Sequence, residues 1–231
     1  MSHEKSFYQE PLPAGQTGIK SWLLTHDHKR IGLMYLWSVV VWFLIAVLCG
    51  LALRVELMWI GPTIMNGKMY NALFTLHGVI MIFLFIIPGI PAIFGNFFLP
   101  IQLGTDDVFF QRINLLSFYL YMLGGILALV SLFIGGFPDT GWTFYVPFSI
   151  NSHSNVSLTT LAAFVLGFSS ILTGLNFITT VHRMRHPKMG WFQMPLFAWS
   201  LYATAWVQLL ATPIVGITLL LVIFERLFGT W

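Results

Sequence analysis

An all-α fold, a bundle of five membrane-spanning helices, is predicted by three features of this sequence. Hydrophobic residues make up 57% of its 231 residues and charged residues only 8%, with a mean hydropathy of +0.82. Ordinary soluble domains carry roughly 25% charged residues. Five almost uncharged runs follow one another: 31–53, 72–99, 113–134, 158–181 and 195–224. Each is long enough to cross roughly 30 Å of hydrocarbon at about 1.5 Å per residue. None alternates polar with apolar side chains as a barrel strand does, so helices are the spanning form. Residues 1–30 read as a polar segment with Pro11, Pro13 and Gly15, lacking the apolar core of a signal peptide; residues 31–231 form the bundle.

The first run ends at Arg54 and Glu56. A snorkelling arginine with an acidic neighbour is the ordinary account; an arginine donating to a peripheral oxygen of a cofactor is the functional one. The second run carries His77 inside an apolar stretch, then a Pro88-Gly89-Ile90-Pro91 break, and reaches Asn96 at its far end. An ionisable group within a span is costly and marks function. A neutral imidazole there can ligate haem iron, relay a proton or hydrogen-bond across a helix interface. His77 falls about 9 Å into the run, and Gly78 beside it leaves room for a flat macrocycle.

Asp106 and Asp107 lie between the second and third runs, with Asn96 and Asn114 on either side. A solvated acid pair and a proton-collecting mouth are both consistent with that placement. The segment 135–157 has no Lys or Arg but carries Asp139, Trp142, Tyr145, Pro147 and His153, and should pack as a lid. Ser169, Ser170 and Asn176 interrupt the apolar fourth run. Such side chains face a bundle interior, where they bond across helices or order water. Trp22, Trp37, Trp191 and Trp199 sit near run ends, where indoles favour the interface.

Basic residues orient the chain. Eight of them (Lys5, Lys20, Lys29, Arg30, Arg112, Arg183, Arg185 and Lys188) fall on one side, against Arg54, Lys68 and Arg226 on the other. The N-terminus is therefore expected in the cytoplasm and the C-terminus outside. The net charge of +3, without a basic run, offers nothing to nucleic acid, and the lone Cys49 excludes an internal disulfide or a thiolate cluster. No hydrolase, Walker or zinc-protease motif is present. With one His in a span, the chain would supply a single axial haem ligand. His153 lies on the same side as His77, whereas His182 and His186 lie on the opposite side.

The stretches SWLLTHDHKRIGLMYL, LFTLHGVIMIFLFIIPGIPAIFGNFFLP, GWTFYVPFS, SSILTGLNFITTVHRMR and LLATPIVGITLLLVIFERLFGTW together resemble subunit I of type A haem-copper terminal oxidases, the bacterial cytochrome c oxidases. The resemblance runs from Ser21 to Trp231. It implies that His77 is an axial ligand of a low-spin haem, usually haem A. It also implies that Arg54 bonds that haem's formyl group, that Glu56 is an outer-side cation ligand in some members, and that Trp142 lies near the haem propionates. Asp107, rather than Asp106, corresponds to the entrance acid of a proton channel whose polar residues would be Tyr35, Asn96, Asn114, Ser169, Ser170 and Asn176. Thr105-Asp106 stands where many members have Ala-Pro.

The family's subunit has twelve helices, and this chain matches the first five. The copper ligands, the ligand of the high-spin haem and the second low-spin ligand are expected elsewhere in the assembly, either in the rest of subunit I or in a second polypeptide. The expected function is a share in a proton-pumping respiratory oxidase of the bacterial inner membrane, with cytochrome c as donor, other oxidase subunits as partners and lipid around it. A quinol oxidase, a haem-free proton-coupled transporter and a non-catalytic scaffold are the alternatives.

Overall fold

Polar caps decide where the helices begin. The computed structural model describes residues 18–229 other than 135 and 137. The expectations for residues 1–17 therefore lie outside the described residues. A short helix, Ile19–Leu23, precedes the five spanning ones: α1 (His28–Glu56), α2 (Gly67–Leu103), α3 (Gln111–Val130), α4 (Val156–Met184) and α5 (Leu196–Phe228). All five are long and apolar enough to cross a membrane, and the described residues contain no strand.

Asp27 accepts the Lys29 N–H at 2.9 Å and so starts α1 at His28, ahead of the apolar run. Asn66 does the same for α2 through the Met69 N–H at 2.9 Å, and Asn155 for α4 through Leu158. Apolar composition alone does not reveal these extra turns. Conversely α3 stops at Val130, short of 134. Ser131 Oγ turns back to the Ala128 carbonyl at 2.7 Å and receives Thr159 Oγ1 at 3.0 Å.

The Pro88–Pro91 segment does not break α2. The helix runs on through two wider π-helical stretches, Ile80–Ile86 and Gly89–Gly95. A proline ring cannot accommodate the carbonyl four residues earlier, and it offers no N–H to that carbonyl. For Pro88 that carbonyl belongs to Leu84, and Tyr121 of α3 donates its hydroxyl to it at 2.7 Å. A neighbouring helix thus satisfies the freed acceptor, the condition under which prolines are tolerated within spans.

Helix α4 is central, packing along both α3 and α5, while α1 lies against α2 and α3. One apolar core joins Ile31, Tyr35, Val39 and Trp42 of α1 to Leu76, Ile80 and Leu84 of α2 and Phe118 and Tyr121 of α3. A second joins Leu99 and Leu103 of α2 to Phe177, Val181, Ala198 and Leu201. The outward faces of α1 (Trp37, Leu44, Leu48) and α5 (Leu210, Ile214, Ile217) remain apolar and exposed, as surfaces that meet lipid or other helices are. Two ends result: one with His77, Glu56 and Arg226, the other with His28, Asp107 and Arg185.

Candidate functional site

At the first end, α1 presents a groove to His77. Ala46, Gly50 and Arg54 are spaced by four and share one face of that helix. The Ala46 carbonyl lies 2.8 Å from Nδ1 of His77. A carbonyl only accepts, so Nδ1 carries the proton and Nε2 keeps its lone pair. A Cβ at Gly50 would lie 3.1 Å from His77 Cε1. Gly50 is therefore the residue that admits the imidazole, and its role goes unseen in the sequence because its partner is 27 residues away.

The role expected of Gly78 is corrected. A Cβ there would lie 2.7 Å from Cδ1 of Trp142. The indole, not a macrocycle, covers the bare backbone next to His77. Trp142 also meets the edge of Phe83, with centroids 6.4 Å apart. The segment carrying it packs down as the lid reading anticipates: Phe144 is buried beside Val79, Val156 and Leu219, and Gly141 donates its N–H to Thr75 Oγ1 at 2.9 Å. His153 is exposed.

His77 begins deeper than the apolar run suggests. Counted from Gly67 it is ten residues in, about 15 Å along the helix. Arg54, one turn beyond Gly50, is exposed. Glu56 is buried, and its two oxygens accept the N–H groups of Thr63 (2.8 Å), Ile64 (2.8 Å) and Met65 (3.1 Å) and the Thr63 hydroxyl (3.2 Å). Three N–H dipoles aimed at a carboxylate anchor the 57–66 turn.

These residues fit a haem. An imidazole whose Nδ1 is held by a main-chain acceptor is oriented as metal-binding histidines are, with Nε2 left as the ligand atom. The groove behind it is apolar, and an unengaged arginine lies on the same face.

The opposite end carries a different architecture. His28 is 2% exposed, and its Nδ1 lies 2.9 Å from Asp107 Oδ1 and 3.7 Å from Asp27 Oδ1. The ligand atoms of these three residues lie within 4.8 Å of one another, a donor set that can hold a divalent cation or share a proton. Asp107 further accepts the Val108 N–H at 2.6 Å and the Gln111 amide at 2.8 Å. Asp106 is exposed.

Above Asp107 the polar residues interlock. Asn114 Nδ2 donates to Asn96 Oδ1 at 2.6 Å, and Asn96 Nδ2 donates to the Ala92 carbonyl at 2.6 Å. Ser117 Oγ donates to the Asn114 carbonyl at 2.7 Å, and Ser169 Oγ to the Ser117 carbonyl at 2.7 Å. The Tyr35 hydroxyl lies 3.0 Å from Ser117 Oγ and 3.4 Å from Ser169 Oγ. One network therefore joins α1, α2, α3 and α4.

Asn176 works at the start of α3 instead. Its Oδ1 accepts the Phe110 N–H at 2.8 Å, while Thr180 Oγ1 accepts that of Phe109 at 3.0 Å. Together they cap a helix that has no cap of its own. Ser170 is half-buried and outside this network. Asn114 Oδ1 and Asn176 Nδ2 are buried without a hydrogen-bond partner, and ordered water is the usual partner of such atoms. His28, Ser117 and Thr180 are missed by sequence reasoning. Ser117 is legible afterwards, since it lies three residues beyond Asn114 on the same helical face.

Known proteins similar in sequence place the chain in a family. The sequence model of the family "Cytochrome C and Quinol oxidase polypeptide I" matches residues 30–231. Cytochrome c oxidase subunit 1 of Thermostichus vulcanus is 40% identical over 205 residues, covering 88% of this chain and 37% of that protein. The subunit 1 of Synechocystis sp. is 42% identical over 205 residues, with the same 88% and 37% coverage. A probable quinol oxidase subunit 1 of Staphylococcus haemolyticus is 38% identical over 215 residues, covering 91% of this chain and 32% of that protein. The chain thus spans little more than a third of the length of the curated relatives it matches. With five helices able to cross a bilayer and a family match over nearly its whole length, this multi-pass membrane chain belongs to the haem-copper oxidase subunit I family.

Proposed function

We propose that this chain forms the low-spin haem flank and the proton-entry path of a respiratory terminal oxidase, with cytochrome c as electron donor. The observation that carries the reading is His77: its Nδ1 is held 2.8 Å from the Ala46 carbonyl, which leaves Nε2 free as a metal ligand. His77 would hold haem A through Nε2, and the haem would supply one-electron transfer toward an oxygen-reducing haem-copper centre built by residues outside this chain. Arg54, on the face of α1 that also bears Ala46 and Gly50, would donate to the haem's edge. Trp142 closes the site toward water by covering Gly78.

Protons enter beside Asp107, where His28 shares its carboxylate, and move by way of Asn96, Asn114, Tyr35 and Ser169; Ser170 and Asn176 lie on the same helix α4, beside that network and not in it. This end faces the cytoplasm by the distribution of basic residues, and the membrane is the bacterial inner membrane. The partners are the remainder of subunit I, on the same or a second polypeptide, and the other oxidase subunits. A quinol as donor is the second reading, supported by the likeness to the staphylococcal quinol oxidase subunit.

Reduced-minus-oxidised spectra of the assembled complex test the proposal. His77→Ala should abolish the low-spin haem band, and an unchanged band would refute the ligand assignment. Reduction by cytochrome c, or by a quinol alone, decides the donor.

A further inference from the structure

Arg226 stands outside everything assigned above, yet it makes the densest set of polar contacts in the described residues. It lies in the last turn of α5, where a cation is favoured by the helix dipole. Its Nη1 donates to the carbonyls of Ser149 (2.6 Å), Ile150 (3.0 Å) and Ser152 (2.9 Å), its Nη2 to that of Ser154 (2.7 Å), and its Nε to Ser157 Oγ (3.1 Å). Charge-assisted bonds of this kind are about twice as strong as neutral ones. The same segment is gripped from its other side. Asp139 Oδ1 accepts the hydroxyls of Ser152 at 2.7 Å and Ser154 at 2.6 Å, and those hydroxyls lie 2.7 Å apart.

Between the two grips the backbone is held out of its relaxed form. Phe144 sits at φ 52, a left-handed conformation that a bulky side chain avoids, and it is 4% exposed. Such a conformation persists only where surrounding contacts over-determine it. An open pocket of about 460 Å³ lies between Thr143–Val146 with Ile150 and the α5 face of Thr218, Leu219 and Val222. The segment the two grips hold presents Trp142 against Gly78, whose absent Cβ would lie 2.7 Å from the indole.

We propose that Arg226 and Asp139 are positioning residues: they latch the 139–154 segment so that Trp142 stays seated on Gly78, next to His77. The proposal rests on the reading of His77 as a haem ligand, and the latch itself does not need a haem to be seen.

The test uses the assembled complex in its membrane, with Arg226→Met, Arg226→Lys, Asp139→Asn and Trp142→Phe. Two readouts are taken: chymotryptic cleavage after Tyr145 or Phe148, and the position and midpoint potential of the low-spin haem band. Arg226→Met should speed cleavage about tenfold or more, the scale of one lost charge-assisted bond. It should also shift the band and its potential without loss of haem. Arg226→Lys should restore part of both, because it retains the charge but not the fork. Asp139→Asn should show a weaker form of the same change, and it serves if Arg226→Met does not assemble. If Arg226 acts through Trp142, adding Arg226→Met to Trp142→Phe should shift the potential no further than Trp142→Phe alone. Wild-type cleavage rates in both Arg226→Met and Asp139→Asn would overturn the latch. Faster cleavage with an unmoved potential, or additive shifts in the double variant, would overturn its link to the site. A wild-type complex without any low-spin band would refute the haem reading while leaving the cleavage result to judge the latch.

Discussion

The two ends of the bundle are built to opposite specifications. At the Asp107 end four helices of this chain meet in one hydrogen-bonded network, in which Asn96 and Asn114 are fully buried and bonded to each other at 2.6 Å. At the His77 end one helix offers an imidazole, a second offers the carbonyl that fixes its tautomer, and Arg54 remains exposed. A polar path must satisfy its own donors and acceptors within the apolar bundle. A ligand for a flat group needs only a pinned ring and an apolar wall. The Asp107 end accordingly draws on four helices of this chain, and the His77 end on one imidazole and one facing carbonyl.

If the ends are separate devices, a change at one should leave the other untouched. Asp107→Asn breaks this comparison most directly. Asparagine keeps an oxygen for the Val108 N–H, now at 2.6 Å, but loses the charge that faces His28 at 2.9 Å. Losing a positioned acid costs a proton-transfer step roughly 100-fold. Proton uptake by the assembled complex, followed with a pH indicator after a reductant pulse, should slow by that order while the haem band is unchanged. A lost band would make Asp107 a structural residue and would tie the ends together.

Gly50→Leu probes the His77 end by packing rather than by charge. A real side chain at that position meets His77 Cε1 at 3.1 Å, and the ring cannot yield without leaving the Ala46 carbonyl. Overpacking of this kind costs about 1–3 kcal/mol. The low-spin band should weaken and shift, whereas proton uptake per electron should not change. An unaltered band would show that the ring is not held by this groove.

How far the sequence discloses each end follows from the same contrast. The spans are legible because hydrocarbon thickness forces long apolar runs, and the lone histidine inside one of them is conspicuous for its cost. Asn96 and Asn114 are legible as polar interruptions, although their direct bond is not. What escapes is whatever depends on the approach of two helices. Gly50 matters only because α1 crosses α2 at His77, and Gly78 is taken up by Trp142 from a segment more than sixty residues away. The Pro88–Pro91 stretch reads as a break because the hydroxyl that rescues the Leu84 carbonyl comes from Tyr121, on another helix. His28 looks like part of a polar leader until the Asp27 cap folds it into α1 and turns it toward Asp107.

Tyr35→Phe gives the smallest stability effect and the sharpest reading of the polar network. The ring is 1% exposed and packs edge-on to Phe118 at 5.1 Å and tilted to Tyr121 at 5.2 Å. Phenylalanine preserves all of that. Removing the hydroxyl orphans no donor, because Ser117 still donates to the Asn114 carbonyl and Ser169 to the Ser117 carbonyl. An interhelical hydrogen bond within a membrane is worth about 0.6 kcal/mol on average. The unfolding midpoint in detergent should therefore barely move. Proton uptake should nevertheless slow several-fold, since the hydroxyl is the group that bridges Ser117 of α3 to Ser169 of α4. Unchanged uptake together with that small stability loss would mean that Tyr35 only joins helices, and that the path from Asn114 runs past it on another side.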